Sequence, residues 1–247
     1  MLLATLSAVY FAREFLNFTP DEAQTHVLRN AIHHARIALN CNRQWGKSTI
    51  AAILAVHRAF THAGTTVLIV ARAGRQSGET LLKVAHFLSN LGIRPRRDGV
   101  NALSLVLPNG SRIVSLPHVE ATTLGFSAVS MLIVDEASRV SDEVYAALRP
   151  TLAVSRGDLI LVSTPNGRRG FFYREMTGGT GDWFRHTGPA TTCPRIPPDF
   201  LEEEKARGEN AYRQNYLCEF VETGKYLFDE ALLHQMVKEQ VDAFTWL

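Results

Sequence analysis
The chain has 247 residues, 46% of them hydrophobic and 20% charged, with a formal net charge of +2. That length suits one large domain, or one domain with a small appendage, around an ordinary globular core. The charge is too small to argue for nucleic-acid binding by itself. Three scattered cysteines, Cys41, Cys193 and Cys218, offer no disulfide framework and suit a reducing, intracellular setting. The basic residues are lopsided, 21 Arg against 5 Lys. Arginine's planar fork matches phosphate and carboxylate, so the skew favours phosphate handling, although lineage bias would produce it equally well.

In chain order, MLLATLSAVYFAREFL lacks a basic leader and an apolar span of about 20 residues. It reads as a packing segment, not as a signal peptide or membrane anchor. FTPDEAQTHVLRNAIHHA predicts a helix in which Thr19 caps, Pro20 takes the first helical position and Glu22 completes a capping box. Ala23, Val27, Ala31 and Ile32 form its apolar stripe. RIALN is a short strand, and STIAAILAVHRAFTHAG a helix closed by Gly64. TTVLIVA (65–71) is a buried strand followed by the helix SGETLLKVAHFLSNLG. ALSLVLPNGSRIVSLP alternates, turns at Pro108-Asn109-Gly110 and alternates again, as an antiparallel hairpin does. SMLIVDEAS (130–138) and DLILVSTPNG (158–167) are further apolar strands ending in polar residues, with the helix SDEVYAALRPTLA between them. Strands alternating with helices predict an α/β fold, a mainly parallel sheet covered on both faces. Ligands in such sheets gather beyond the carboxyl ends of the strands. From residue 189 the texture changes to a proline-rich stretch, a charged helix (199–207) and NAYRQNYLCEF. The predicted division is a core over 1–188 and a small, lid-like accessory subdomain with linker over 189–247. The nine histidines show no metal-binding spacing.

LNCNRQWGKSTI (39–50) ends like a phosphate-binding loop, G-x-x-x-x-G-K-[ST], but Cys41 stands where the first glycine belongs and Arg43 sits inside. Its place between a strand and a helix is the context that such a loop requires. Backbone N–H groups of Arg43, Gln44, Trp45, Gly46, Lys47 and Ser48 would then hold the β-phosphate of ATP. Lys47 would bridge β- and γ-oxygens, and the Ser48 hydroxyl would meet Mg²⁺. Thr49 completes the nucleotide-binding set, though its side chain has no matching role and is expected to pack in the helix. Four apolar residues, Met131 to Val134, lead into Asp135 and Glu136 on a strand expected beside the loop's own strand. Asp135 would hold Mg²⁺ and Glu136 would orient or deprotonate the attacking water. Paired acids at a strand end are otherwise ordinary solvated turn residues; it is the loop and the pair together that point to hydrolysis. Arg43 would offset charge on the γ-phosphate from within its own subunit, the alternative being an ion pair with an acidic neighbour.

The loop form R-Q-x-G-K-[ST] resembles that of the large terminase subunits of tailed bacteriophages, the motors that pump DNA into empty capsids. Gln24 in TPDEAQ resembles the family's adenine-recognising glutamine. TLGFSAVSMLIVDEAS resembles its glycine and acidic-strand region, and LVSTPNG, with Ser163, Thr164 and Pro165, its coupling motif. YLCEF followed by GKYLFDEALL resembles the end of the ATPase portion, so the likeness covers about residues 19 to 230. The resemblance implies an ASCE-type P-loop ATPase, ATP and Mg²⁺ as cofactors, and double-stranded DNA as the moved substrate. It also implies a homo-oligomeric ring on the capsid portal, a small terminase subunit as partner, and the host cytoplasm as the setting, with no membrane. Family members continue into an RNase H-like nuclease; here about seventeen residues follow Glu230, so the ATPase portion alone, without nuclease activity, is expected. Arg139, three residues past Glu136, is a candidate finger reaching a neighbouring subunit, the alternative being a solvated residue or a partner for Asp142. For DNA contact the candidates are Arg94, Arg96, Arg97, Arg112, Arg168 and Arg169, each also readable as part of a solvated face. A helicase-like DNA-dependent ATPase and a nucleotide-gated assembly protein without turnover are the competing readings. The first needs a second motor lobe, and the second has no use for Glu136.

Overall fold
The computed structural model describes residues 7–97, 99, 103–123, 125–178 and 181–222. Its strands are β1 (Arg36–Cys41), β2 (Thr66–Ala71), β3 (Ser104–Val106), β4 (Arg112–Pro117), β5 (Val129–Asp135), β6 (Asp158–Ser163) and β7 (Phe184–Gly188). They form one sheet in the order β3-β4-β2-β5-β6-β1-β7. Every pairing is parallel except β3 with β4, the anticipated hairpin. The expectation that the Asp135 strand lies beside the loop's strand is corrected: β6 sits between β1 and β5. All three have apolar, two-faced sequences, so patterning alone does not rank them across the sheet.

Strand alternation splits the core in two. Ile37, Leu39, Val67, Ile69, Met131, Ile133, Ile160 and Val162 face one side. There they meet α1 (Ala8–Glu14), α2 (Glu22–Asn30), α3 (Lys47–Thr61) and α4 (Gly74–Asn90). Ala38, Leu68, Val70, Leu132, Val134, Leu159 and Leu161 face the other, against α5 (His118–Thr123), α6 (Asp142–Leu148) and α7 (Gly170–Thr177). Burial on both faces is why these strands read as continuous apolar runs and not as alternating ones.

Helix α2 keeps its capping box two residues later than expected. Asp21 is the N-cap and accepts from the Gln24 backbone N–H, while the Gln24 side chain accepts from the Asp21 N–H. Aspartate is a stronger N-cap than threonine, and with the cap at Asp21 the helix starts at Glu22 and Pro20 precedes it. Neither α7 nor β7 was anticipated from sequence. Strand β7 is a half-exposed edge, FRHTG, with too few apolar positions to signal itself. Beyond it, α8 (Pro198–Arg207) and α9 (Glu209–Asn215) share a small cluster of Ala190, Leu201 and Tyr212. The segment GKYLFDEALL and the rest of 223–247 lie outside the described residues. Among the described residues no helix is long and apolar enough to cross a membrane.

Candidate active site
The site forms where β1, β6 and β5 run out. Cys41, at the position of the missing first glycine, is the fully buried last residue of β1 and has no positive φ. A glycine is therefore not needed there. Asn42 shapes the turn: its backbone N–H and Nδ2 both donate to Gly188 O (3.0 and 3.1 Å), and its Oδ1 accepts from Gln44 N (2.9 Å). Gly46 is needed on two counts. Its φ is 92°, and a Cβ there would lie 2.8 Å from Gln24 Nε2. Among the described residues no acceptor takes the N–H groups of Gly46, Lys47 or Ser48, as expected for the first turn of α3. They open into a cleft of about 680 Å³ and make an anion-binding helix terminus.

Lys47 is buried, with Nζ donating to Cys41 O (3.2 Å) and Asn42 O (2.7 Å). Burial lowers its pKa. Ser48 Oγ donates to Asp135 Oδ2 across 3.3 Å, which joins the loop to the acidic strand over the intervening β6. Burial, and after it the neighbouring charge of Glu136, raises the Asp135 pKa. Hydroxyl and carboxylate oxygens together suit a hard cation such as Mg²⁺, which takes one or two protein oxygens and completes its shell with phosphates and water.

Glu136 adopts φ 53° and ψ 39°, a left-handed backbone costing on the order of 1–3 kcal/mol in a non-glycine residue. Its N–H donates to Asp135 Oδ1 (2.9 Å), and its Oε2 lies 3.4 Å from Arg139 Nε. Arg139 thus lies in the cleft of its own chain, and the pairing with Asp142 is not made: Asp142 accepts from Phe171 N and Arg174 instead. Arg43 lines the cleft, is exposed, and has no carboxylate partner among the described residues. Thr49 also lines it, so it is not simply packed in the helix. Gln24 is buried, with Nε2 donating to Trp45 O (2.8 Å), so its carboxamide braces the loop here.

Ser163, the last residue of β6, and Thr164 just beyond it are buried and tied to Ser138, which sequence reasoning missed. Ser163 Oγ accepts from Ser138 N (3.1 Å) and donates to Ser138 Oγ (2.8 Å), which donates to Thr164 O (2.8 Å). Pro165 follows, buried. Also missed were Arg72, Gln76 and Lys83, which line the far wall. Arg72 stands just beyond the carboxyl end of β2, a position that could have flagged it. Five cations and one carboxylate then surround the cleft, a balance suited to a polyanion. The proposed DNA-contact arginines do not gather into one patch. Arg112 begins β4 at the opposite edge of the sheet, over the Phe126 ring, whereas Arg168 and Arg169 follow β6.

A mainly parallel sheet whose glycine-lysine-serine loop opens a helix and touches a buried aspartate two strands away defines a P-loop α/β protein. A family model described as terminase large subunit, T4likevirus-type, N-terminal, matches residues 41–235, and the chain belongs to that family. The large terminase subunit of Thermus virus P23-45 is 24% identical over 251 residues, covering 87% of this chain and 51% of its own. The chain thus spans about half the length of the curated relatives it matches. Among solved structures, the Thermus phage P74-26 large terminase ATPase domain superposes with a TM-score of 0.74 at 21% identity, covering 86% of this chain and 97% of that one. A large terminase from a thermophilic bacteriophage, in complex with ATP-gamma-S, gives 0.65 at 11% identity, covering 88% of this chain and 52% of that one.

Proposed function
We propose that this chain is the ATP-hydrolysing part of a DNA-packaging motor that drives double-stranded viral DNA into a capsid. The observation carrying the proposal is the Ser48–Asp135 contact beside three backbone N–H groups that meet no acceptor among the described residues. Those N–H groups bind the β-phosphate, and Lys47 leaves the loop carbonyls to meet the γ-phosphate. Arg43, unpaired in the cleft, offsets charge developing on the γ-oxygens. Ser48 and Asp135 would hold Mg²⁺, which supplies neutralisation of phosphate charge. Glu136 orients and deprotonates the attacking water once Arg139 releases it. Gln24 recognises the adenine, and Ser163, Thr164 and Pro165 pass the change at the cleft to the rest of the motor.

The same reading divides the chain into a core over 1–188 and a lid-like unit with linker over 189–247. It places the chain in a homo-oligomeric ring on the capsid portal, with a small terminase subunit, in the host cytoplasm. These 247 residues are proposed to act without cutting DNA. Mg²⁺- or Mn²⁺-dependent cutting of plasmid by the purified chain would refute that. Phosphate release from ATP tests the central reading: turnover should require Mg²⁺ and rise faster than linearly with protein concentration. Absence of turnover at every concentration, with ATP still bound, would instead favour a nucleotide-gated assembly protein.

A further inference from the structure
In a trans peptide the C=O and the following N–H point in opposite directions, so fixing one aims the other. The Trp45–Gly46 peptide is held in this way. Trp45 O accepts from Arg195 Nη2 (2.9 Å) and from Gln24 Nε2 (2.8 Å). Both donors stand outside the loop, and Arg195 is 150 residues away in sequence. Arg195 Nε also donates to Gln44 O (3.3 Å), and its Nη1 meets Asp21 Oδ2 at 2.6 Å. Asp21 in turn caps the helix carrying Gln24, so Asp21, Arg195, Trp45 O and Gln24 close a ring of contacts. Among the described residues no peptide bond is cis. Two donors on Trp45 O therefore turn the Gly46 N–H the other way, where no acceptor takes it among the described residues and where Gly46 lines the cleft.

We infer that Arg195 is a positioning residue for nucleotide binding, which aims the Gly46 N–H at the β-phosphate by holding the Trp45 carbonyl. A loop with glycines at both ends sets its N–H groups by its own backbone; this loop lacks the first glycine and borrows the constraint from beyond β7. The trunk of the loop is braced from the same quarter. Asn42 donates twice to Gly188 O, and a Cβ on Gly188 would lie 2.5 Å from Trp45 Nε1. Arg195 has the geometry the task needs, since its planar fork spreads separate N–H donors toward two carbonyls and a carboxylate in fixed directions, whereas an ammonium concentrates its donors at one point.

This inference rests on the nucleotide-site reading, and its test separates the two. Equilibrium binding of ADP and AMP is measured on the full chain and on Arg195→Ala, with thermal melting as a check on folding. Wild-type protein should bind ADP. Arg195→Ala should weaken ADP by about tenfold, the scale of one hydrogen bond to a charged group, while AMP, lacking the β-phosphate, changes less than twofold. If Arg195→Ala does not fold, Arg195→Lys decides: it can face Asp21 but lacks the fork, and should weaken ADP at least about threefold. ADP affinity within twofold of wild type in the folded variant overturns this inference alone, and so does an equal loss for ADP and AMP. A wild-type chain that binds no ADP overturns the nucleotide-site reading and this inference together.

Discussion
The two loops that leave neighbouring strands at the carboxyl edge of the sheet are built in opposite ways. In the loop after β1 the N–H groups of Gly46, Lys47 and Ser48 meet no acceptor among the described residues, while the Gln44 and Trp45 carbonyls are held by distant side chains, Arg195 and Gln24. The end of β6 and the loop after it are instead tied to the loop after β5, where Ser138 bonds Ser163 Oγ and Thr164 O, both of them in buried residues. An open loop costs stability and gains a ligand. The tie from β6 to Ser138, which stands between Glu136 and Arg139, is the route that the proposed coupling would use. On the proposed reading, binding and transmission fall to adjacent strands, and β6 lies between β1 and β5.

The largest effects are expected at the loop after β1. Lys47→Ala should abolish turnover, by at least about 10³-fold, through loss of charge opposite the γ-phosphate. Mixing that variant with Arg139→Ala subunits sharpens the point. Recovery of hydrolysis in mixed rings would place Arg139 across a subunit boundary, whereas no recovery at any ratio confines it to the Glu136 contact seen within this chain. Next in size, Glu136→Gln should cut turnover about 10²- to 10⁴-fold, the range for losing a general base, while ATP binding stays within a few-fold. Equal loss of binding and turnover would contradict the assigned role.

Asp135→Asn separates stability from activity. Burial and Glu136 raise the Asp135 pKa, so the folded state holds this proton more tightly than the unfolded chain does. The resulting contribution favours folding at acid pH and is lost as pH rises through the folded-state pKa, leaving a buried charge at neutral pH. The variant should therefore melt a few degrees higher at neutral pH without nucleotide, show no such gain at acid pH, and lose Mg²⁺-dependent turnover. A lower melting temperature at both pH values would contradict the account. The smallest effect belongs to the tie between Ser138 and the end of β6. Ser138→Ala removes hydrogen bonds worth about 1 kcal/mol and should lower the melting temperature by roughly 2–4 °C, leaving nucleotide affinity unchanged in binding assays.

Much of this arrangement is legible in the sequence, and for a local reason. Gly46-Lys47-Ser48 and Asp135-Glu136 each sit at the end of an apolar run, and parallel sheets bring such ends to one edge. The hairpin and the long helices carry their own periodic or turn signals. What was not legible depends on partners far along the chain. Strand order placed β6 beside β1 although β1, β5 and β6 look alike. Strand β7 is half-exposed at an edge, and its few apolar residues give no run. Arg195 lies in a proline-rich stretch with no motif, and its role appears only when it meets carbonyls 150 residues earlier. Ser138 is invisible for the same reason, since one serine among polar neighbours gives no sign that it satisfies two buried groups.

The most direct test of the central claim is a crystal structure of the chain with Mg²⁺ and a non-hydrolysable ATP analogue. The account predicts the γ-phosphate beside Lys47 Nζ, the metal between Ser48 Oγ and Asp135, and Glu136 facing the phosphorus. A nucleotide bound elsewhere, or those four side chains turned away from it, would contradict it.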